Sequence, residues 1–278
     1  MRTDPARDRH LLVVALPVNT PRQNTSADSS DAARGKENDL TRFAEIDHIV
    51  WDWNGTLFAD TAALIDATID IFARAGLPAV TRTRYQEHHT QPIPLFYDRL
   101  AERDLSDEEQ QWLAEAFQET YVRYRQNVGL HPQARDVLRQ CADAGFAQSL
   151  LSMYPHEKLL PLVETAEITA FFRRIDGLHT DEAAKKAPHL RRHLTEIGAR
   201  PDRVLLVGDS VDDALAAREC GAHCVLYHAG RDALHSREHF EALDVPIAEN
   251  LHDAVTALLG HRQPDQDTGR PTWTTTTP

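Results

Sequence analysis

The chain has 278 residues, 41% hydrophobic and 26% charged, enough to bury one large core or two modest ones without covalent staples. Lys plus Arg number 30 against 43 Asp plus Glu, and the resulting net charge of -13 argues against general affinity for nucleic acid or an anionic membrane. With 3 Cys, 12 Gly and no apolar run near the roughly 18 residues of a membrane span, disulfide-scaffold, collagen and transmembrane classes are excluded.

Residues 1–42 hold one short apolar run, Leu11–Val18, behind Arg2, Arg7 and Arg9. Pro17 interrupts it and no A-x-A site follows, so the polar stretch after it reads as a disordered extension, not a processed signal. Asp47–Trp51 (DHIVW) is a short β-rich run that leads straight into DWNGT. From Thr61 to Ala75, Leu64, Ala67, Thr68, Ile71, Phe72 and Ala75 recur at helical spacing, and Gly76 and Pro78 end the helix. A mostly helical stretch continues to about Asn127, with Ser106 and Glu109 spaced as a capping box.

Beyond Pro132, ARDVLRQCADAG predicts a helix and FAQSLLSM a strand. Residues 156–167 predict a helix, Phe171–Ile175 a short strand and LRRHLTEIG a helix. RVLLVGDS is an apolar run meeting a turn, DDALAARECG a helix and HCVLYHAG a last strand. Residues 261–278 lack apolar periodicity and read as a disordered tail. Strands alternating with helices predict an α/β fold with a doubly wound parallel sheet, whose ligands sit at the carboxyl ends of the strands.

Those ends carry Asp52, Ser152 and Asp209. A carboxylate at such a place is a nucleophile, a metal ligand or a helix cap. Two of them on neighbouring strands repel each other, and a hard-oxygen pair suits Mg2+. Asp213, four residues after Asp209, falls on the first turn of the next helix, where it can join the metal directly or through water; Asp212 is expected to face solvent or cap that helix. Ser152 offers a hydroxyl to a phosphoryl oxygen, and Lys185 or Lys186 offers the positive charge that phosphoryl transfer requires.

WDWNGTL, LLS, the Lys185–Lys186 pair and VGDSVDDALAARECGA resemble the four motifs of the haloacid dehalogenase-like (HAD) hydrolase superfamily, in its phosphoglycolate phosphatase-like branch, over residues 46–258. The resemblance implies a Rossmann-like core at 43–59 and 128–260 with an inserted helical cap at 60–127. It implies that Asp52 takes the phosphoryl group as an aspartyl phosphate. Asp209 then holds Mg2+ with Asp52 and the backbone carbonyl of Asn54, while Asp213 supports or completes the metal site. Ser152 hydrogen-bonds the phosphoryl oxygens. Lys186, favoured over Lys185 by its spacing to the next helix, binds Asp52 and the phosphoryl group. Gly55 and Thr56 shape the substrate-binding loop, and Arg99 stands among the cap residues available to a substrate.

Phosphatases of this superfamily usually carry a second Asp at the position of Asn54, as general acid and base. An amide cannot shuttle a proton at neutral pH, a loss worth about 10²- to 10⁴-fold unless the leaving group is good. His88, His89 and His156 are other proton donors. Relatives that cleave carbon–halogen bonds need no metal, and those that cleave carbon–phosphorus bonds use a cap Lys, which is missing between Ala59 and Asn127. The expectation is a cytoplasmic, magnesium-dependent phosphatase, monomer or homodimer, for a small metabolite of phosphoglycolate or sugar-phosphate type, without nucleic-acid or membrane partners. The alternative is a weakly active or non-catalytic relative that binds a phosphorylated ligand or partner; a mutase, which also wants the missing Asp, ranks last.

Overall fold

The computed structural model describes residues 43–179 and 185–261, and the expected N-terminal extension and the tail beyond 261 lie outside them. Its centre is β1 (His48–Trp51), four consecutive residues buried on both faces of the sheet. Such a run suits a parallel strand covered by helices on each side. β1 pairs in parallel with β2 (Ala147–Pro155) on one side and β4 (Val204–Gly208) on the other. Outward lie β3 (Ile175–Leu178), β5 (His223–Tyr227) and β6 (Ile247–Ala248), giving six parallel strands in the order β3-β2-β1-β4-β5-β6. The order reverses between β1 and β4, which makes their carboxyl ends the expected ligand crevice.

Between β1 and β2 the chain forms α1 (Thr61–Arg74), α2 (Arg82–His88), α3 (Ile93–Ala101) and α4 (Asp107–Tyr124). These helices share a hydrophobic cluster that includes Ile65, Ile71, Phe72, Tyr85, Phe96, Leu100 and Leu113. The Ser106–Glu109 capping box expected from the sequence opens α4, satisfying backbone donors that the first turn leaves bare. α5 (Ala134–Asp143), α6 (His156–Thr165), α7 (Lys186–Ile197), α8 (Val211–Cys220), the short α9 (Arg237–Glu241) and α10 (Leu251–His261) alternate with the later strands. None of the described helices is long and apolar enough to cross a membrane.

Two elements depart from expectation. The strand expected at Phe171–Ile175 starts at Ile175, and Thr169–Phe171 is instead a turn of 3-10 helix. Phe171 and Phe172 pack on the core from that turn, so their apolar character marks packing and not a strand. The two-residue β6 was not foreseen; it is too short to show a period.

Candidate active site

The sheet brings the strand-end residues together. Trp51 lies opposite Val207 in the β1–β4 ladder, and the Asp52 N–H continues it with a 2.9 Å bond to the Val207 carbonyl. Asp52 therefore leaves β1 beside Asp209, which follows β4. Ser152, expected at a strand end, lies inside the longer β2, where the pairing with β3 shifts register between Leu151 and Pro155. Its Oγ is 3.4 Å from Asn54 Oδ1 and accepts the Tyr154 N–H at 3.0 Å.

Two glycines let the loops approach so closely. Gly55 has φ +74, and a Cβ there would stand 1.9 Å from Asp209 Oδ2. At Gly208 a Cβ would meet Asp213 Oδ2 at 2.3 Å. Asp213 is fixed by its own capping box: the Ser210 N–H and hydroxyl donate to its Oδ2 at 3.0 and 2.7 Å, and Ser210 Oγ accepts the Asp213 N–H at 3.2 Å.

Lys186, not Lys185, is the buried cation. Its side chain is 2% exposed and its Nζ pairs with both Asp52 Oδ1 and Asp213 Oδ1, whereas Lys185 is exposed. Burial alone would drive this ammonium toward neutrality, but the Asp213 and Asp52 carboxylates reverse that and keep it protonated. Asp212 does not simply face solvent or cap its helix: its Oδ2 accepts the Lys186 N–H at 2.8 Å, tying the start of α7 to the start of α8. Burial raises the Asp52 carboxyl to about 7 against the pull of Lys186. Burial, with Asp52 and Asp213 nearby, holds Asp209 far above the usual carboxylate range.

The donor set fits a divalent cation. Asp52, Asp209 and Asp213 bring carboxylate oxygens within 4.8 Å of one another. Asp209 is buried and accepts no hydrogen bond from any described residue. Among the described residues Lys186 is the one cation paired with this group, and burial favours protonated Asp52 and Asp209, protons that a divalent cation would displace. Asp52 and Asp209 suit direct ligation. Asp213, with both oxygens engaged by Lys186 and Ser210, suits a supporting contact.

The remaining expected residues fall in various places. Gly55 donates its N–H to Asp60 Oδ1 at 2.8 Å. Thr56 is fully buried, and its hydroxyl has no partner among the described residues. Arg99 is exposed on α3 and lies outside the lining of the cavity above Asp52. His156 Nδ1 accepts the Gly177 N–H at 3.1 Å, and His88 sits half-buried in the last turn of α2. His89 lines the cavity, its Nδ1 3.2 Å from His235 Nε2, and burial pushes it down to about 3. Trp53 is a packing residue, stacked on Phe58 with centroids 5.0 Å apart.

Asp60 and Tyr121 were not anticipated. Asp60 occupies the N-cap position of α1, yet its side chain caps nothing. It accepts Asn54 Nδ2 at 2.6 Å and the Tyr121 hydroxyl at 2.5 Å. Tyr121 is spaced on α4 like an ordinary core residue, so no local signal marks it. A second buried polar chain links Asp176, His193, Ser149 and His48, with Ser149 Oγ 2.7 and 2.8 Å from the two imidazoles. These are the residue types of a hydrolase triad, but none of them lines the cavity; the chain ties β1 and β2 to α7 and β3.

The family model for haloacid dehalogenase-like hydrolase matches residues 46–221. A phosphoglycolate phosphatase of Pseudomonas fluorescens is 27% identical over 222 residues, covering 76% of this chain and 79% of the relative. The phosphoglycolate phosphatase of Vibrio vulnificus is 26% identical, covering 77% of this chain and 95% of its own. Among solved structures, a haloacid dehalogenase-like family hydrolase of Streptococcus pneumoniae superposes with a TM-score of 0.65 at 20% identity, over 77% of this chain and 99% of that one.

Proposed function

The chain belongs to the haloacid dehalogenase-like hydrolases, and on that premise we propose that it is a magnesium-dependent phosphatase that cleaves a small phosphate monoester by way of a phosphoryl group carried on Asp52. The observation that carries the reading is the meeting of Asp52, Asp209 and Asp213 beside Lys186, with Asp52, Asp209 and Lys186 lining a cavity. A purely structural cluster would not leave Asp209 buried and unpaired beside two like charges.

Magnesium, when bound by Asp52, Asp209 and the Asn54 carbonyl, supplies Lewis-acid charge at the phosphoryl oxygens. The chain does the rest. A carboxylate oxygen of Asp52 bonds to phosphorus as the ester P–O bond breaks and its electron pair leaves on the alcohol oxygen. Water then bonds to phosphorus, the Asp52 O–P bond breaks, and the carboxylate returns with release of inorganic phosphate. Lys186 orients Asp52 and balances charge building on the phosphoryl oxygens. Ser152 turns its hydroxyl to one of those oxygens. Asp213 and Asp212 position Lys186. Helices α1–α4 act as the cap that excludes water over the site.

Phosphate release from a panel of monoesters, phosphoglycolate and sugar phosphates included, tests the reading. Turnover that requires magnesium and disappears in Asp52→Asn is the expected outcome. Magnesium-independent turnover, or full activity in Asp52→Asn, would contradict it.

A further inference from the structure

We infer that the substrate is the phosphate monoester of an acidic, apolar alcohol, in the simplest case an aryl phosphate, and not a short carboxylated ester. The inference rests on the phosphatase reading and narrows it. Two separate features carry it, one on the leaving-group side and one in the cavity wall.

The first is the way Asn54 is held. Its Nδ2 donates both hydrogens, to Asp60 Oδ2 at 2.6 Å and to the Tyr121 hydroxyl oxygen at 3.1 Å. The Tyr121 hydroxyl spends its own hydrogen on the same Asp60 oxygen at 2.5 Å. Asp60 is fully buried and pairs with no cation among the described residues, so it depends on these donors and the Gly55 N–H. Flipping the amide would set Asn54 Oδ1 against a carboxylate oxygen, acceptor to acceptor. Asn54 thus offers the reaction centre only its carbonyl oxygen, which steers a water or hydroxyl group but gives no proton. The two histidines of the cavity wall do not replace it. His89 and His235 face each other, and burial holds both below the ordinary imidazole range, so neither carries a spare proton at neutral pH. With no proton from Asn54 or these histidines, the site suits an ester oxygen that departs unprotonated. Such departure is fast from a phenol and slow from an ordinary alcohol.

The second is the chamber over Asp52. The cavity measures about 850 Å³, and its cap side is walled by Leu64, Tyr85, Phe96, Tyr97 and Phe117, with Leu234 packed in the same cluster. An apolar cavity of about 150 Å³ already admits benzene, so a ring with substituents fits here. The rings in place are set for edge-to-face contact, as between Tyr85 and Phe96 at 4.9 Å. Among the described residues no Arg or Lys of α1–α4 lines the cavity. Arg82 is drawn to Asp66 at 3.2 Å and Asp232 at 3.7 Å, and Arg84 to Glu102 at 2.7 Å. Lys185, just before α7, and Arg218 of α8 line the cavity but are exposed. A substrate carboxylate pushed among these rings would be desolvated without a counter-charge.

In the reaction so defined, Asp52 bonds to phosphorus as the aryl O–P bond breaks. The electron pair leaves on the phenolate oxygen, which takes a proton from bulk water after release. Hydrolysis of the Asp52 phosphoryl group follows as above.

The test is kcat/KM, with magnesium, for phenyl phosphates of graded phenol acidity, size-matched alkyl phosphates and phosphoglycolate. Wild type should lose rate steeply as the phenol weakens, and the alkyl esters and phosphoglycolate should trail the best aryl ester by about 10²- to 10⁴-fold. In Asn54→Asp the new carboxyl faces Asp60 and shares a proton with it, so the slope should flatten and alkyl turnover rise about tenfold or more. Phe96→Ala should raise KM for aryl esters by a larger factor than KM for methyl phosphate; an equal rise for both would count against the apolar wall. A flat wild-type slope, or phosphoglycolate turned over as fast as the best aryl ester, overturns this inference and leaves the phosphatase reading standing. No phosphate from any ester overturns both.

Discussion

Asp209 is the residue whose environment makes least sense without a cation. It is buried, has no hydrogen-bond donor among the described residues, and faces two other carboxylates. Replacing it with Asn removes that repulsion. Asp209→Asn should therefore melt higher than wild type in chelator, yet gain nothing from added magnesium. Wild type should gain about 3 kcal/mol at a hundredfold excess over Kd. A thermal-shift titration reads both effects; a magnesium response that survives in the variant would take Asp209 out of the metal site. Asp52 and Asp209 were legible as a pair because each directly follows an apolar strand run. Asn54 was legible as a departure. Asp60 was not, because a polar residue ahead of a helix looks like a cap, and only its contact with Tyr121, 61 positions on, reveals another role.

Among the elements, the turn after β1 and the polar chain across β1, β2, β3 and α7 give the clearest consequences. Gly55→Ala adds a methyl group where Asp209 Oδ2 already sits, at a φ of +74 that costs an L-residue about 1–2 kcal/mol by itself. Loss of magnesium affinity should exceed loss of stability, measured by calorimetric titration beside a urea melt. Equal metal affinity in the variant would mean the turn does not set the site. His48 shows a pH effect. Burial, with His193 next, lowers its pKa from 6.5 to about 4. Between these values the unfolded chain takes a proton that the folded one refuses. Stability is therefore lost as pH falls through 6.5, and the loss is complete below 4, amounting to about 3 kcal/mol. His48→Gln should remove that part of the acid-side slope of urea midpoints; parallel slopes would contradict it. Helices were readable here from their periods and from the Ser106 box. β3 was not, because IDGL carries a buried Asp176 where an apolar residue is expected.

At the scale of the whole molecule, the order of strands and helices already specified a parallel sheet, because crossover connections leave few other arrangements. What the order leaves unspecified is everything set by contacts distant in sequence: the lock of Tyr121 on Asn54, the His89–His235 pair, the outward pull on Arg82. The proposed leaving-group preference rests on those contacts, and no local sequence pattern carries them. The phosphatase reading turns on Asp52 carrying the phosphoryl group. Acid-quenching the magnesium-loaded enzyme during turnover of an aryl phosphate, followed by peptide mass spectrometry, addresses it directly. One phosphoryl group is expected on the peptide containing Asp52, removed by hydroxylamine and absent from Asp52→Asn. Phosphate released in the quenched reaction with that peptide unmodified, or a phosphoryl group found on another residue, would contradict it.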